Sequence, residues 1–315
     1  MHASPLDHVK WFADPAPYPT RYDLLFTPPL LLALAVAAGA VMAAWWIERT
    51  FPEPAPVKAL ERLAGYGATA LGLHLGVALT AAAVVGLLFV SSLPISTEAT
   101  LGFAFLTIEA MCGLMILVGL ATRAAALLLA LLGILAMFAG GFTFESILEQ
   151  VHILGIAAFL FLIGRGPLSL DRLRGVRPPL DAREVPAAAL TLVRVAMGFG
   201  IAYSALTEKL LNPPLAQALL DERPWLNFIR SFGVADGQFA YGAGLTELVV
   251  GAVLMSPFVT RPTVLAGAVL FTSSLPFFGW SELLGHLPFY GIMLLLLIAP
   301  HAGSARVRAA MRPAS

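Results

Sequence analysis

The chain has 315 residues, 59% of them hydrophobic and only 12% charged, with a mean hydropathy of +0.85. A soluble domain of this composition could not cover its own surface with polar atoms, so a freely soluble globular protein is excluded and a polytopic helical membrane protein is expected. The formal net charge of zero excludes nothing, because membrane proteins sort charge by side; the single cysteine, Cys112, excludes an internal disulfide and any Cys-x-x-Cys redox or zinc motif.

The first 27 residues are polar and Pro-rich, and no cleavable signal peptide is expected in them. Apolar runs then predict nine spans, at about 28–47, 64–91, 100–120, 123–142, 147–164, 187–209, 237–258, 261–280 and 282–300. The expected fold is all-α: one leading helix followed by two tandem parallel four-helix bundles. The units are a tail and leading helix at 1–54, a first four-helix unit at 55–170, a linker at 171–186, a second unit at 187–302 and a tail at 303–315. The long insertion at 210–236 reads as a short amphipathic helix, with Trp225, Leu226, Ile229 and Phe232 on one face. It is expected either to anchor on the surface or to act as a lid over the second unit.

Nine spans put the termini on opposite sides. Arg49, Lys58, Arg62, Arg123, Arg165, Arg172, Arg174, Arg177, Arg183, Arg261 and the Arg residues of the last tail fall on one side, which the positive-inside rule places in the cytoplasm. The expected location is the inner (plasma) membrane, with the N-terminus extracytoplasmic and the C-terminus cytoplasmic.

Two segments repeat. Glu109 with Gly113 and Thr122-Arg123 is matched by Glu247 with Gly251 and Thr260-Arg261, at the same Glu-to-Arg spacing. Four ionisable residues fall at membrane depth: His74, Glu109, Arg194 and Glu247. Overlaying the repeats pairs His74 with Arg194, and the helix directions allow His74 to face Glu109 and Arg194 to face Glu247. An unpaired charge there costs roughly 2.5–3.5 kcal/mol on insertion scales, so partners are expected. Such pairs can be polar clasps between helices or proton-handling or ligand-binding sites. Arg194, near the start of its span, can instead snorkel to the interface.

The outer ends of the last two spans of each unit carry Glu145, Glu149 and His152 in the first and Glu282 and His286 in the second. Glu145 with Glu149, and Glu282 with His286, are four apart and share a helix face; Glu149 and His152, three apart, do likewise. Carboxylate beside imidazole can hydrate a helix end, bind a first-row metal or hydrogen-bond a quinone and exchange its protons. Glu208 and Lys209, at the outer end of the sixth span, can join the second cluster. His2 and His8 in the outer tail could take copper, although exposed tail histidines are usually only solvated.

The second unit resembles the DoxX-like membrane family. The resemblance rests on Arg194, Gly198, Gly200, Glu208-Lys209, Gly244, Glu247, Gly251, Thr260-Arg261, Glu282, His286 and Gly291, and covers roughly 187–300. The first unit, about 64–165, keeps Glu109, Thr122-Arg123, His152 and Gly155 but lacks the Arg and the terminal Lys of the first helix. The resemblance implies a four-helix membrane bundle. It also implies a link to quinone-dependent redox systems, since the family includes small membrane subunits of thiosulfate:quinone oxidoreductase. A related methylamine-utilisation protein is linked to disulfide formation, a role that a chain with one cysteine does not fit.

The leading expectation is a respiratory or redox membrane protein that interacts with quinone, or a partner subunit. Its catalytic candidates are Glu247, Arg194, Glu282 and His286. Its ligand-binding candidates are Lys209, Glu208, Glu109, His74, Glu145, Glu149 and His152. No flavin fingerprint, haem motif or cysteine pair is present, so electrons would come from a partner redox protein. The alternatives are a small-solute transporter using the mid-membrane pairs, and a non-catalytic scaffold. The expected surroundings are the lipid bilayer, with no nucleic acid.

Overall fold

The computed structural model describes residues 16–89, 95, 100–139, 144–176 and 186–300. The chain is an all-helical, multi-pass membrane protein: among the described residues five helices are long and apolar enough to cross a bilayer, and three shorter helices are also apolar. The principal helices are α1 (Pro28–Thr50), α2 (Gly67–Val84), α3 (Thr100–Val118), α4 (Thr122–Ala139), α5 (Val151–Ile163), α6 (Ala187–Ala205), α7 (Pro213–Glu222), α8 (Asp236–Met255), α9 (Thr260–Phe278) and α10 (Trp280–Ile298).

Packing follows a closed circuit. Helix α2 lies against α3, α3 against α4, α4 against α5, α5 against α6, α6 against α8, α8 against α9, α9 against α10, and α10 returns to α2. The first helix of each repeat therefore rests on the last helix of the other, and one continuous core runs through both, from Leu71 and Ile116 to Met197 and Ile292. Helix α1 stands outside the circuit against α8. Its buried positions, Leu30, Ala33, Ala37 and Ala44, lie along one stripe and are mostly alanine, while Leu31, Leu32, Leu34 and Met42 are exposed. Small residues permit close helix approach, and the exposed leucines suit hydrocarbon rather than water.

Glycine brings helix backbones into contact at two crossings. A Cβ on Gly76 would sit 2.8 Å from the Gly113 carbonyl oxygen, and one on Gly198 would sit 2.6 Å from that of Gly251. Because Gly113 and Gly251 each follow the repeated Glu by one turn, these contacts define the register of the repeat. Gly76 matches Gly198, so His74 matches Ala196 and Arg194 matches Gly72; the sequence overlay of His74 on Arg194 is off by two residues. The glycines of the two helices differ in spacing, Gly72 and Gly76 against Gly198 and Gly200, so the sequence alone could not resolve that shift.

The turns before the fourth and ninth helices recur as well. Ala121 and Val259, each just ahead of the Thr-Arg step, both adopt left-handed backbone, at φ 45° and 41°. Arg123 then donates from Nε to the Phe161 carbonyl at 2.7 Å, and Arg261 donates to the Leu297 carbonyl at 2.8 Å. Each Arg thus caps the last helix of its own repeat. Arg261 also meets Glu53 at 2.5 Å and Glu61 at 3.3 Å, tying the segment after α1 to the Arg-rich face.

On the opposite face, here the tail face, the segment before α1 straps the bundle. Arg21 N donates to the Leu211 carbonyl at 2.8 Å, Asn212 Nδ2 to the Tyr18 carbonyl at 2.8 Å, and the Tyr22 hydroxyl to Glu145. That hydrogen bond to a carboxylate holds the Tyr22 hydroxyl protonated well above its usual range. Tyr22 is 53% exposed, so Tyr22→Phe is expected to cost no more than about 1 kcal/mol in detergent unfolding. A larger loss would show the strap to be a principal support of the fold.

The insertion at 210–236 departs from the sequence expectation. Its helix is α7, earlier in the loop, started by Pro213-Pro214 and capped by Asn212 Oδ1 accepting from Leu215 N at 3.3 Å. Residues Pro224–Leu226 and Arg230–Phe232 form only short 3₁₀ turns, because Pro224 and left-handed Gly233 interrupt a longer helix. Trp225 leaves the expected face and packs against Phe277, with ring centroids 5.5 Å apart.

Candidate functional site

The tail-face end of α6 widens into a π-turn over Leu206–Leu210, closed by Leu211 N donating to the Leu206 carbonyl at 2.7 Å. The wider turn lets adjacent residues share an inward face. Glu208 is 1% exposed, and the Lys209 side chain is also largely buried. Lys209 Nζ meets Glu247 Oε2 at 2.7 Å. The expected Arg194–Glu247 pair is not made: Lys209 reaches Glu247 from the tail face, while Arg194 lies at the opposite end of the same two helices. Its Nη1 donates to the Leu254 carbonyl at 2.6 Å and to the Ser256 carbonyl, capping α8.

Beside the ion pair is a cavity of about 280 Å³ between α7, α8, α9 and α10. Leu219, Leu220, Leu226 and Phe228 of the insertion cover it, so the insertion does overlie the second unit. Phe239, Phe271, Phe277 and Phe278 supply aromatic wall, and Lys209, Glu247, Glu282 and His286 supply most of its polar chemistry. His286 Nε2 lies 3.6 Å from Glu282 Oε1, the i,i+4 relation read from the sequence. Both are buried, and Glu282 Oε2 has no hydrogen-bond partner among the described residues. Ser273 and Ser274 turn their hydroxyls back to the Leu270 and Phe271 carbonyls, each at 2.7 Å, leaving their oxygens as acceptors at the wall.

The two acidic-histidine corners approach each other through the shared core. His152 stacks on Phe289 at 4.1 Å, and Phe271 lies 4.5 Å from His286 and 5.2 Å from Phe289. Glu149 Oε1 accepts from the Thr207 hydroxyl at 3.4 Å. Glu145 is apart from these, held by Tyr22 and by Thr20 at 3.3 Å. No group of three or more His, Cys, Asp or Glu residues suited to a metal occurs among the described residues. His2 and His8 lie outside the described residues.

Among the described residues the surroundings of Glu109 in the first repeat differ from those of Glu247. Glu109, equivalent to Glu247, is 0% exposed and accepts from the Phe89 backbone N–H at 2.7 Å. Its expected partner His74 instead bonds the Ala70 carbonyl at 2.7 Å through Nδ1 and lies against Gly291 of α10. Phe89, held at φ 65°, lines a remnant of only about 20 Å³. The Phe89 backbone amide thus meets Glu109 where the Lys209 ammonium meets Glu247 in the second repeat.

Sequence reasoning missed the aromatic wall. The run Phe271 to Trp280, rich in Phe with Pro276 inside a helix, carries a signal for it, but aromatic residues in a membrane helix are ambiguous between lipid-facing and site-lining positions. Comparison with family models, curated proteins and solved structures finds no match to this chain. Fold and site thus define a multi-pass helical membrane protein with a buried ion pair and a carboxylate–imidazole pair at one aromatic cavity.

Proposed function

We propose that this is a DoxX-like inner-membrane protein that binds a quinone head group in the α7–α10 cavity and works with a partner redox protein. On this reading the eight apolar helices and α9 cross the bilayer as two tandem four-helix units after a leading span. The Arg-rich face is cytoplasmic and the tail face extracytoplasmic. The observation that carries the proposal is the buried Glu282 oxygen, unbonded among the described residues, beside His286 in a chamber walled mostly by aromatic and aliphatic side chains. A buried acceptor in such a place is stabilised by a ligand that brings a donor.

The residues fit the group. Phe271, Phe277 and Phe278 offer ring faces for a planar head group, and the small cavity suits a single ring with its tail leading out. Bound quinone would supply two-electron, two-proton chemistry, with electrons drawn from the partner redox protein. Glu282 and His286 would hold and pass protons at Oε2 and the imidazole nitrogens, and Lys209 with Glu247 would fix the charge of the floor.

Binding of a short-chain quinone to the full chain in nanodiscs, followed by quenching of Trp225, tests this. Glu282→Gln and His286→Ala are each expected to weaken binding about tenfold or more. Absence of quinone binding to the wild-type chain overturns the proposal, and solute uptake by proteoliposomes in that case would establish a transporter instead.

A further inference from the structure

We propose that the Arg-rich face carries a phosphate-binding site at the N-terminus of α9, built from Arg194, Thr191 and Thr260. These three line a second cavity of about 40 Å³, walled by Pro257, Leu296 and Pro300. One water needs about 10–15 Å³ on this measure, so the space takes a small oxyanion.

Three features point to a phosphate. Helix α9 is 19 residues long, and its N-cap residue, Val259, has no side-chain acceptor for the first-turn amides. That end carries the positive pole of the helix dipole. Arg194 is only 8% exposed, and Nη1 alone makes its contacts to Leu254 and Ser256. Nε and Nη2 have no hydrogen-bond partner among the described residues, so the guanidinium keeps donors for an anion at the cavity it lines. The hydroxyls of Thr191 and Thr260 likewise bond no described residue.

Among the described residues no carboxylate lines the cavity. The nearby ones are engaged: Glu48 accepts from Val259 N at 2.9 Å, and Glu53 and Glu61 meet Arg261. The first repeat has Gly72 where Arg194 stands, and the Arg165 side chain packs over it, 3.0 Å from where a Cβ would be. That guanidinium turns to the Leu168 carbonyl, so among the described residues the first repeat does not present this arrangement.

A phosphate could be free or could belong to a lipid head group, and binding to the purified full chain separates them. Inorganic phosphate, phosphatidylglycerol nanodiscs and phosphatidylcholine nanodiscs are compared, with bound phosphate or retained lipid read by native mass spectrometry. Response to inorganic phosphate supports a soluble anion, and retention of phosphatidylglycerol alone supports a lipid head group. In either case Arg194→Gln is expected to weaken binding about tenfold or more. Since Arg194 also caps α8, the Thr191→Val/Thr260→Val variant provides a second test that leaves those contacts in place, with several-fold weaker binding expected. Binding of neither anionic probe, or undiminished binding by the folded variants, overturns the proposal.

Discussion

Lys209→Met is expected to destabilise the protein by about 3–5 kcal/mol and to abolish ligand binding at the α7–α10 cavity. The ammonium and the Glu247 carboxylate are 2.7 Å apart, with side chains only 11% and 20% exposed. Removing one partner leaves the other charge buried among apolar side chains, which costs far more than the intact pair contributes. The double variant Lys209→Met/Glu247→Met removes both charges and is expected to recover most of the lost stability without recovering binding. Unfolding in detergent, read by circular dichroism, checks both parts. A single variant within about 1 kcal/mol of the wild type would show that the pair is solvated rather than buried.

The second large effect is expected at the α6–α8 crossing. In Gly198→Leu even the first added carbon would lie 2.6 Å from the Gly251 carbonyl oxygen and 2.8 Å from Met255 N. These are backbone atoms that cannot swing aside, so the helices must separate along much of their contact. Loss of at least about 3 kcal/mol, or of the folded monomer on size-exclusion chromatography, is expected. Gly39→Leu on α1 is the control, because a Cβ there meets nothing within 4 Å. Its stability should stay within about 0.5 kcal/mol of wild type. Equal behaviour of the two variants would sink the argument that this glycine contact sets the crossing.

The two repeats share a helix crossing and differ in what meets the repeated Glu. Glu247 gained a flexible cation from a π-turn, whereas Glu109 gained a backbone amide from Phe89. The Lys209 ammonium meets the Glu247 carboxylate at a cavity, whereas Glu109 has one oxygen on the Phe89 amide and the other, Oε2, without a hydrogen-bond partner among the described residues. The same glycine contact occurs at Gly76–Gly113 and at Gly198–Gly251, while the partners of Glu109 and Glu247 differ.

Much of this was legible in the residues. Helix positions follow from the apolar runs, because a bilayer forces every backbone polar group into internal hydrogen bonds. The Glu282–His286 pair follows from helical spacing, since four residues return to the same face. The role of Thr122-Arg123 and Thr260-Arg261 was only half legible: their side follows from charge placement, but their capping of Phe161 and Leu297 requires contacts between helices. The partners of His74, Glu109 and Arg194 were not legible, because depth along a helix does not fix the direction a side chain points or how far Lys209 can reach.

By itself the sequence determined the membrane setting, the helical class, the internal repeat and which charged residues need shelter, all of which depend on composition and spacing within single segments. The tertiary structure decided that the last helix of each repeat packs on the first helix of the other, that Lys209 rather than Arg194 meets Glu247, and that the Phe89 amide rather than His74 meets Glu109. The reason is geometric: partner choice depends on the relative rotation, register and depth of helices far apart in the chain, and a one-dimensional pattern leaves all three free.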